Sequence, residues 1–311
     1  MFLEDKNIGI LFGGCSCERE ISLKSGAAAA RAFEGLGYDA VLLDIRQEAE
    51  EEIRDLIRTH RVDVVFIALH GGFGEDGRLQ GILEKLEVPY TGSSFAASRI
   101  AMDKLASRLV FQKAGLSVPK YIKLNRQDGI FAVNTLCYPL VVKPSCQGSS
   151  IGISFIDSAA FLEKAVQNAF AFDDDIIIEE FIRGRELTVS ILDGRPLPVV
   201  EIIPKSGFFD YKSKYEPGLT HYVVPAPLPQ NIVEEVQANA VAAYKALGCR
   251  HFARVDMIIQ SGQAPFILEA NTIPGLTETS LFPKAAQAAG ISFDRLCEKL
   301  IQMAVSDLVK S

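Results

Sequence analysis

The sequence predicts an α/β protein: a parallel sheet with helices on its faces at the N-terminus, then an α+β region in two subdomains with a cleft between them. Three observations carry this. Over residues 7–69, short apolar runs alternate with amphipathic stretches in the order strand–helix–strand–helix–strand, the order that yields a parallel sheet. From about residue 95 the texture changes to short strands separated by turns, with single helices between them. A length of 311 residues, 48% hydrophobic and 23% charged, suits a globular protein of two or three domains.

Taken in order, NIGILF (7–12) is an apolar run ended by Gly13-Gly14, a buried strand and its turn. A helix is expected from about Glu18 to Leu36, with Gly37 as its stop. Residues 38–43 read as a second strand, 48–60 as a charged amphipathic helix and VDVVFIAL (62–69) as a third strand, followed by the loop HGGFGEDG (70–77). Open α/β sheets bind ligands beyond the carboxyl ends of their strands, where the 13–18 and 70–77 loops both lie. A helix over 95–114 leads to strands at 138–144 and 175–182, then two strands within 187–203 around Asp193-Gly194. A loop rich in Gly, Tyr and Lys spans 204–222. Helix 230–247 ends at Gly248, and strands 252–259 and 264–270 are joined by a Ser-Gly turn. Linkers near 92–95 and 182–186 give expected domains of 1–94, 95–183 and 184–311.

Net charge is −7 with no basic tail or stripe, so nucleic acid is not an expected partner. No apolar run approaches membrane-spanning length. The start, MFLEDKNIGILFGG, puts acids before a strand-like run, so a signal peptide is not expected and a cytoplasmic location is. Six cysteines, at 15, 17, 137, 146, 249 and 297, match no zinc spacing and read as reduced thiols.

The strongest chemical signal is the pair HFARVDMII and PFILEANT. Side chains alternate along a strand, so Arg254 and Asp256 share a face, as do Glu269 and Asn271. A hairpin centred on Gly262-Gln263 sets Asp256 opposite Glu269 and Arg254 opposite Asn271, with Val255, Met257, Phe266 and Leu268 on the core face. Directly opposed carboxylates weaken a sheet, unless a cation sits between them. Three oxygen donors suit Mg²⁺ and not zinc or copper. A solvated sheet face fits the same residues, and the loop holding Pro274 and Gly275 favours a site. In VVKPSCQGSSIG (141–152), Lys143 ends an apolar strand before a Gly/Ser loop whose amides and hydroxyls can cradle phosphate. The Walker A spacing is absent, and a plain hairpin reads equally well from this segment alone. Lys104 on its helix reads as a solvated charge. Residues 176–186 (IIIEEFIRGRE) are a strand ending in a charged turn, able to pair an adenine edge and a ribose. Glu18 sits near a helix start, where it suits the helix dipole or can hold an ammonium; His70 follows an apolar strand as a turn histidine would. No Ser-His-Asp order or His/Cys pair points to nucleophilic catalysis, and a dehydrogenase is disfavoured because G-x-G-x-x-G is not satisfied.

Together the segments LFGGCSCEREISLKSG, ALHGGFGEDGRLQG, PYTGS, AMDKL, VVKPSCQGSSIG, IIEEFIRGRELTV, FFDYKSKY, RVDMII and LEANTIPGLTETSL resemble, in order over nearly the whole chain, the D-alanine–D-alanine ligase family of the ATP-grasp superfamily. That resemblance implies a Rossmann-like (pre-ATP-grasp) first domain and a two-subdomain ATP-grasp fold. It implies ATP as co-substrate, with Lys104 and Lys143 on its phosphates, the Glu179–Ile182 stretch on adenine, Phe181 packing beside it and Glu186 on the ribose. Asp256, Glu269 and Asn271 would hold two Mg²⁺, which Mn²⁺ could replace. Glu18, in a hydrogen-bonded set with Ser149 and Tyr215, would bind the ammonium of the first D-alanine, with His70 nearby. Arg254 and the Gly275 amide would stabilise an oxyanion, and Ser280 and Leu281 would receive the second carboxylate. Phe208 and Lys214 would close over the nucleotide from a 205–220 lid. Phe209 stands where the family often shows Tyr, and Cys146-Gln147 at variable positions. Tyr215 favours an amine over a hydroxyl acceptor. A role in cell-wall synthesis and a homodimer are also implied. The competing readings are another ATP-grasp carboxylate–amine ligase, which should lack the Glu18, Ser149, Tyr215 and Ser280-Leu281 set, and a non-catalytic nucleotide-binding regulator.

Overall fold

In the computed structural model, which describes residues 3–127, 135–205 and 218–307, the first domain follows the expected alternation. It runs β1 (Ile8–Gly13), α1 (Arg19–Gly35), β2 (Ala40–Ile45), α2 (Glu50–Thr59), β3 (Val64–Ile67) and α3 (Arg78–Lys85). The strands form a parallel sheet in the order β2-β1-β3, with Ile8 level with both Ala40 and Val64. β3 is buried throughout, the signature of a strand covered on both faces. The small residues of α1 let it lie close to the sheet: Ala29, Ala32 and Phe33 are buried, and Phe33 meets Phe66 edge-on at 5.4 Å.

The expected single helix over 95–114 is two, α4 (Phe95–Met102) and α5 (Lys104–Lys113). Asp103 is extended between them, and its carboxylate accepts from the amides of Leu105 (2.9 Å) and Ala106 (3.2 Å). An aspartate that caps one helix ends the one before it. Lys104 thereby becomes the first residue of α5. Next come β4 (Tyr121–Asn125), β5 (Leu140–Pro144), β6 (Ser154–Ile156), α6 (Leu162–Phe170) and β7 (Asp175–Glu180). Their antiparallel sheet has the order β4-β7-β5-β6.

The third part holds β8 (Arg185–Leu192), β9 (Arg195–Pro196), β10 (Val200–Pro204), β11 (Thr220–Val223), α7 (Gln230–Ala246), β12 (Phe252–Ile259), β13 (Phe266–Asn271), α8 (Leu281–Ala288) and α9 (Phe293–Asp307). Residues 220–222, expected in a loop, belong to β11, which pairs with β10. The antiparallel sheet β11-β10-β8-β12-β13 has two dissimilar faces. Leu187, Val189, Ile191, Val255, Met257 and Ile267 pack on Val236, Ala240 and Ala243 of α7. The other face carries Thr188, Arg254 and Asp256; at one end of it Leu192, Val200 and Phe252 join the core of the first domain. α9 joins that core too, through Leu296, Cys297, Leu300, Ile301 and Ala304, and packs on α1 and β3. Among the described residues no helix is long and apolar enough to cross a membrane, and all six cysteines are free thiols.

A polar seam fastens the linker after Tyr90 to the start of β12. Arg250 donates from Nε to the Gly92 carbonyl (3.0 Å), and its guanidinium lies 4.7 Å over the Tyr90 ring. His251 accepts the Gly92 amide at Nδ1 (3.1 Å) and meets Asp307 at Nε2 (2.9 Å). Burial pushes the His251 imidazole below its usual range, outweighing the pull of Asp307. A histidine depressed in the folded state contributes stability that is whole above about pH 6.5 and lost as pH falls through the folded value. Melting temperature should therefore drop between pH 7.5 and 5 more steeply in the wild type than in His251→Gln. Parallel curves would contradict this account of the seam.

Candidate active site

The hairpin register read from the sequence is the one found: Asp256 pairs with Glu269 and Arg254 with Asn271. A bulge after Asp256 then shifts the pairing, so Met257 faces Ile267. The bulge corrects the expected core face on β13: Ile267 and Ala270 are buried, whereas Phe266 and Leu268 are only half-buried. An extra residue on one strand reverses the alternation beyond it. On the polar face, Asp256 is 6% exposed and ringed by donors. Arg254 grips its two oxygens from Nε and a terminal nitrogen, each at 2.8 Å. Thr188 of the neighbouring strand donates to Oδ1 at 2.5 Å, and the Asn271 amide nitrogen lies 3.4 Å from Oδ2. Lys104 Nζ is 3.8 Å from the Glu269 carboxylate. Two carboxylates and an amide are hard donors, a set that fits divalent cations whose remaining ligands are other oxygens. It does not fit zinc, and no cluster of three His, Cys, Asp or Glu suited to a metal occurs among the described residues.

Lys104 also donates to the Gln147 carbonyl at 2.5 Å, inside the Gly/Ser loop. In that loop Ser149 and Ser150 adopt φ of +51° and +60°. Lys143 does not point into this loop as a free charge. It donates to Glu179 Oε1 at 2.5 Å, and Arg108 donates to Oε2 at 2.6 Å. Burial alone would push the Glu179 carboxyl up; the facing Arg108 and Lys143 cations win and hold it below the usual carboxylate range. The same burial, with Arg108 and Lys104 close by, pushes Lys143 below the usual lysine range. Three buried charges of net positive sign thus sit where β5 and β7 run side by side. Phe181 stacks edge-on against Phe155 at 4.8 Å and hydrogen-bonds through its amide to the Pro139 carbonyl. Ile182 is half-buried in the connector to β8, and Glu186 lies two residues before Thr188 on β8.

Across from these stand the loops at the carboxyl ends of β1 and β3. Ser22 ties both ends to α1, accepting from the Gly13 amide and donating to the Ala68 carbonyl, each at 2.8 Å. Ser16 donates to the His70 carbonyl at 2.7 Å, joining the two loops. Glu18 precedes α1 but makes no side-chain cap to it. Its buried carboxylate instead accepts a hydrogen bond from Ser149, 131 residues away. A Cβ on Gly71, at φ +70°, would stand 2.5 Å from a Glu18 oxygen. Buried His70 has Nε2 2.8 Å from Ser25 Oγ. Opposite, Thr277 donates its amide to Ser280 Oγ at 3.2 Å, and a Cβ on Gly275 would meet that same oxygen at 2.8 Å. Leu281 opens α8. One cleft of about 680 Å³ is lined by Glu18, His70, Ser149, Arg254, Glu269 and Asn271, and by Gly275, Ser280 and Leu281. Lys104, Lys143, Glu179, Phe181, Ile182, Glu186 and Asp256 do not line that cleft. The expected lid residues Phe208, Lys214 and Tyr215 lie outside the described residues.

Sequence reasoning missed Arg108, Thr188 and Ser25. The signal for Arg108 was present: residues 104, 107, 108 and 111 form the buried stripe of α5, so an arginine falls where an apolar side chain belongs. Thr188 and Ser25 look like any strand or helix hydroxyl.

Comparison with known proteins agrees with the geometry. Residues 46–93 match the family model of the D-ala D-ala ligase N-terminus, and residues 110–302 that of its C-terminus. D-alanine–D-alanine ligases of Syntrophotalea carbinolica and Desulforudis audaxviator are 45% and 46% identical, over 96% of this chain and 96% and 98% of theirs. The crystal structure of D-alanine–D-alanine ligase from Bacillus anthracis complexed with ATP superposes with a TM-score of 0.87 at 33% identity, covering 98% of this chain and 99% of that one. The VanG D-Ala:D-Ser ligase from Enterococcus faecalis gives 0.84 at 33% identity, covering 96% and 99%. With the ATP-grasp arrangement of sheets and both halves of the chain matched, this protein belongs to the D-alanine–D-alanine ligase family.

Proposed function

We propose that the chain joins two D-alanine molecules into D-alanyl-D-alanine, with ATP converted to ADP and phosphate, by way of D-alanyl phosphate, and so supplies the dipeptide used in building the bacterial cell wall. The observation that carries this reading is the Glu18–Ser149 hydrogen bond in one cleft with Arg254, Glu269, Asn271, Gly275 and Ser280. A carboxylate suited to an ammonium, a guanidinium suited to an oxyanion and two side-chain oxygen donors of β13 support this reading.

Glu18 holds the ammonium of the first D-alanine and leaves its carboxylate free to attack the γ-phosphate. Ser149 fixes the Glu18 carboxylate, and Tyr215 completes that set. Lys104 and Lys143 bind the ATP phosphates. The Glu179–Ile182 stretch holds adenine beside Phe181, and Glu186 binds the ribose. Two Mg²⁺, held by Asp256, Glu269 and Asn271, would offset the charge spread over the phosphoryl oxygens. Arg254 and the Gly275 amide bind the oxyanion that forms as the second amine attacks; one such donor contributes about 3–4 kcal/mol. Ser280 and Leu281 take the second carboxylate at the start of α8, where helix amides point outward. Excluding water protects the acyl phosphate, the role of a 205–220 lid bearing Phe208 and Lys214. By family resemblance the enzyme works in the cytoplasm as a homodimer, and linkers near 92–95 and 182–186 divide the chain into domains at 1–94, 95–183 and 184–311.

Coupled ADP release separates this reading from its neighbours. With ATP and Mg²⁺, D-alanine alone should drive ADP release, L-alanine should not, and D-serine added to D-alanine should not raise the rate. An acceptor preference for D-serine or D-lactate would overturn the D-alanine assignment.

A further inference from the structure

We infer that Arg108 is a positioning residue that sets nucleotide specificity: it fixes the Glu179 carboxylate as an acceptor for a 6-amino purine and ties that carboxylate to the strand bearing the metal-binding residues. The inference rests on the reading of the β5–β7 region as the adenine end of an ATP site. Arg108 is wholly buried and spans two sheets with one guanidinium. It donates to Glu179 on β7 and to the main-chain carbonyl of Ile267 on β13, two residues before Glu269. Its Nε has no partner among the described residues. Lys104, one turn earlier on α5, makes the parallel connection from the Gln147 carbonyl to Glu269. α5 therefore carries two cationic rungs between the nucleotide sheet and the metal strand.

Phosphate binding would draw Lys104 away from its rung, while Arg108, sealed from the cleft, keeps its own. A buried ion pair is a poor stability device, since apolar side chains of similar volume do as well. It is a good specificity device. A Glu179 carboxylate that takes Lys143 on one oxygen and Arg108 on the other keeps lone pairs and carries no proton. It can accept from an exocyclic 6-amino group and has nothing to donate to a 6-oxo group. Sites built on such buried polar groups discriminate strongly because the wrong partner leaves them unpaired.

The test compares ATP with ITP, in which a 6-oxo group replaces the 6-amino group and N1 carries a proton, in the full-length enzyme at saturating D-alanine. Arg108→Met should raise the KM for ATP and lower the ATP:ITP ratio of kcat/KM by about tenfold each, with the KM for D-alanine within about twofold of wild type. Arg108→Lys loses the fork that reaches both strands but keeps a cation beside the Glu179 carboxylate, and should retain at least about a third of the wild-type ratio. Arg108→Gln replaces Met if that variant does not fold. An unchanged ratio in the neutral variant sinks the inference. So does an Arg108→Lys ratio as low as the neutral variants', or at parity should neither of them fold. Failure of the ATP reading looks different: the wild type itself would show no preference for ATP.

Discussion

An Asp256→Asn enzyme should lose turnover by about three orders of magnitude while staying folded, the scale expected when a charge that organises phosphoryl transfer is removed. The substitution keeps the size of a side chain that is nearly sealed from solvent, so no cavity is made. What changes is charge and donor count. Asp256 now accepts from Arg254, from Thr188 and at longer range from Asn271. An amide there offers one acceptor oxygen, and its own N–H groups face other donors. The cations that Asp256 and Glu269 would share lose half their carboxylate charge. Arg254 also loses a charge partner on the polar face, so the proposed oxyanion donor would suffer with the proposed metal site. Measuring kcat by ADP release beside a melting curve separates chemistry from unfolding. Near-wild-type kcat in a folded variant would remove Asp256 from the reaction.

Glu18→Gln should act on a different constant. Replacing the buried carboxylate costs the ammonium its charge partner, about 2.8 kcal/mol or roughly a hundredfold in kcat/KM for D-alanine. The KM for ATP should stay within about twofold, since Glu18 lines the cleft from the first-domain side and a glutamine oxygen there can still accept from Ser149. Helix stability should not move, because Glu18 makes no side-chain cap to α1. A variant with wild-type D-alanine kinetics would show that Glu18 reads nothing of the substrate. A large rise in the KM for ATP alone would move its role to the nucleotide end.

The parts legible in the sequence were those that local patterning controls. The first-domain strands announce themselves as short apolar runs, the first of them ended by Gly13-Gly14. The β12–β13 register followed from a hairpin centred on Gly262-Gln263, with alternation assigning the faces, and placed Asp256 opposite Glu269. The same alternation misassigned Phe266 and Leu268, because a bulge leaves no mark in a pattern of period two. Asp103 was read within a continuous helix although it is a cap, and the cap depends on the extended backbone it adopts. Long-range pairings were beyond periodicity. Glu18 meets Ser149 and α9 joins the core of a domain almost the whole chain away, and only resemblance to a family suggested the first of these. Arg108 stayed hidden because a basic residue on a helix is usually solvated, and only the fold brings Glu179 and Ile267 to it.

The central claim is that a D-alanine carboxylate is phosphorylated before the peptide bond forms. D-alanine labelled with ¹⁸O in its carboxyl group, incubated with enzyme, ATP and Mg²⁺, tests it by mass spectrometry of the released phosphate. An acyl phosphate intermediate transfers one labelled oxygen to phosphate for every dipeptide made. Unlabelled phosphate alongside dipeptide formation would contradict the mechanism and the site built around it.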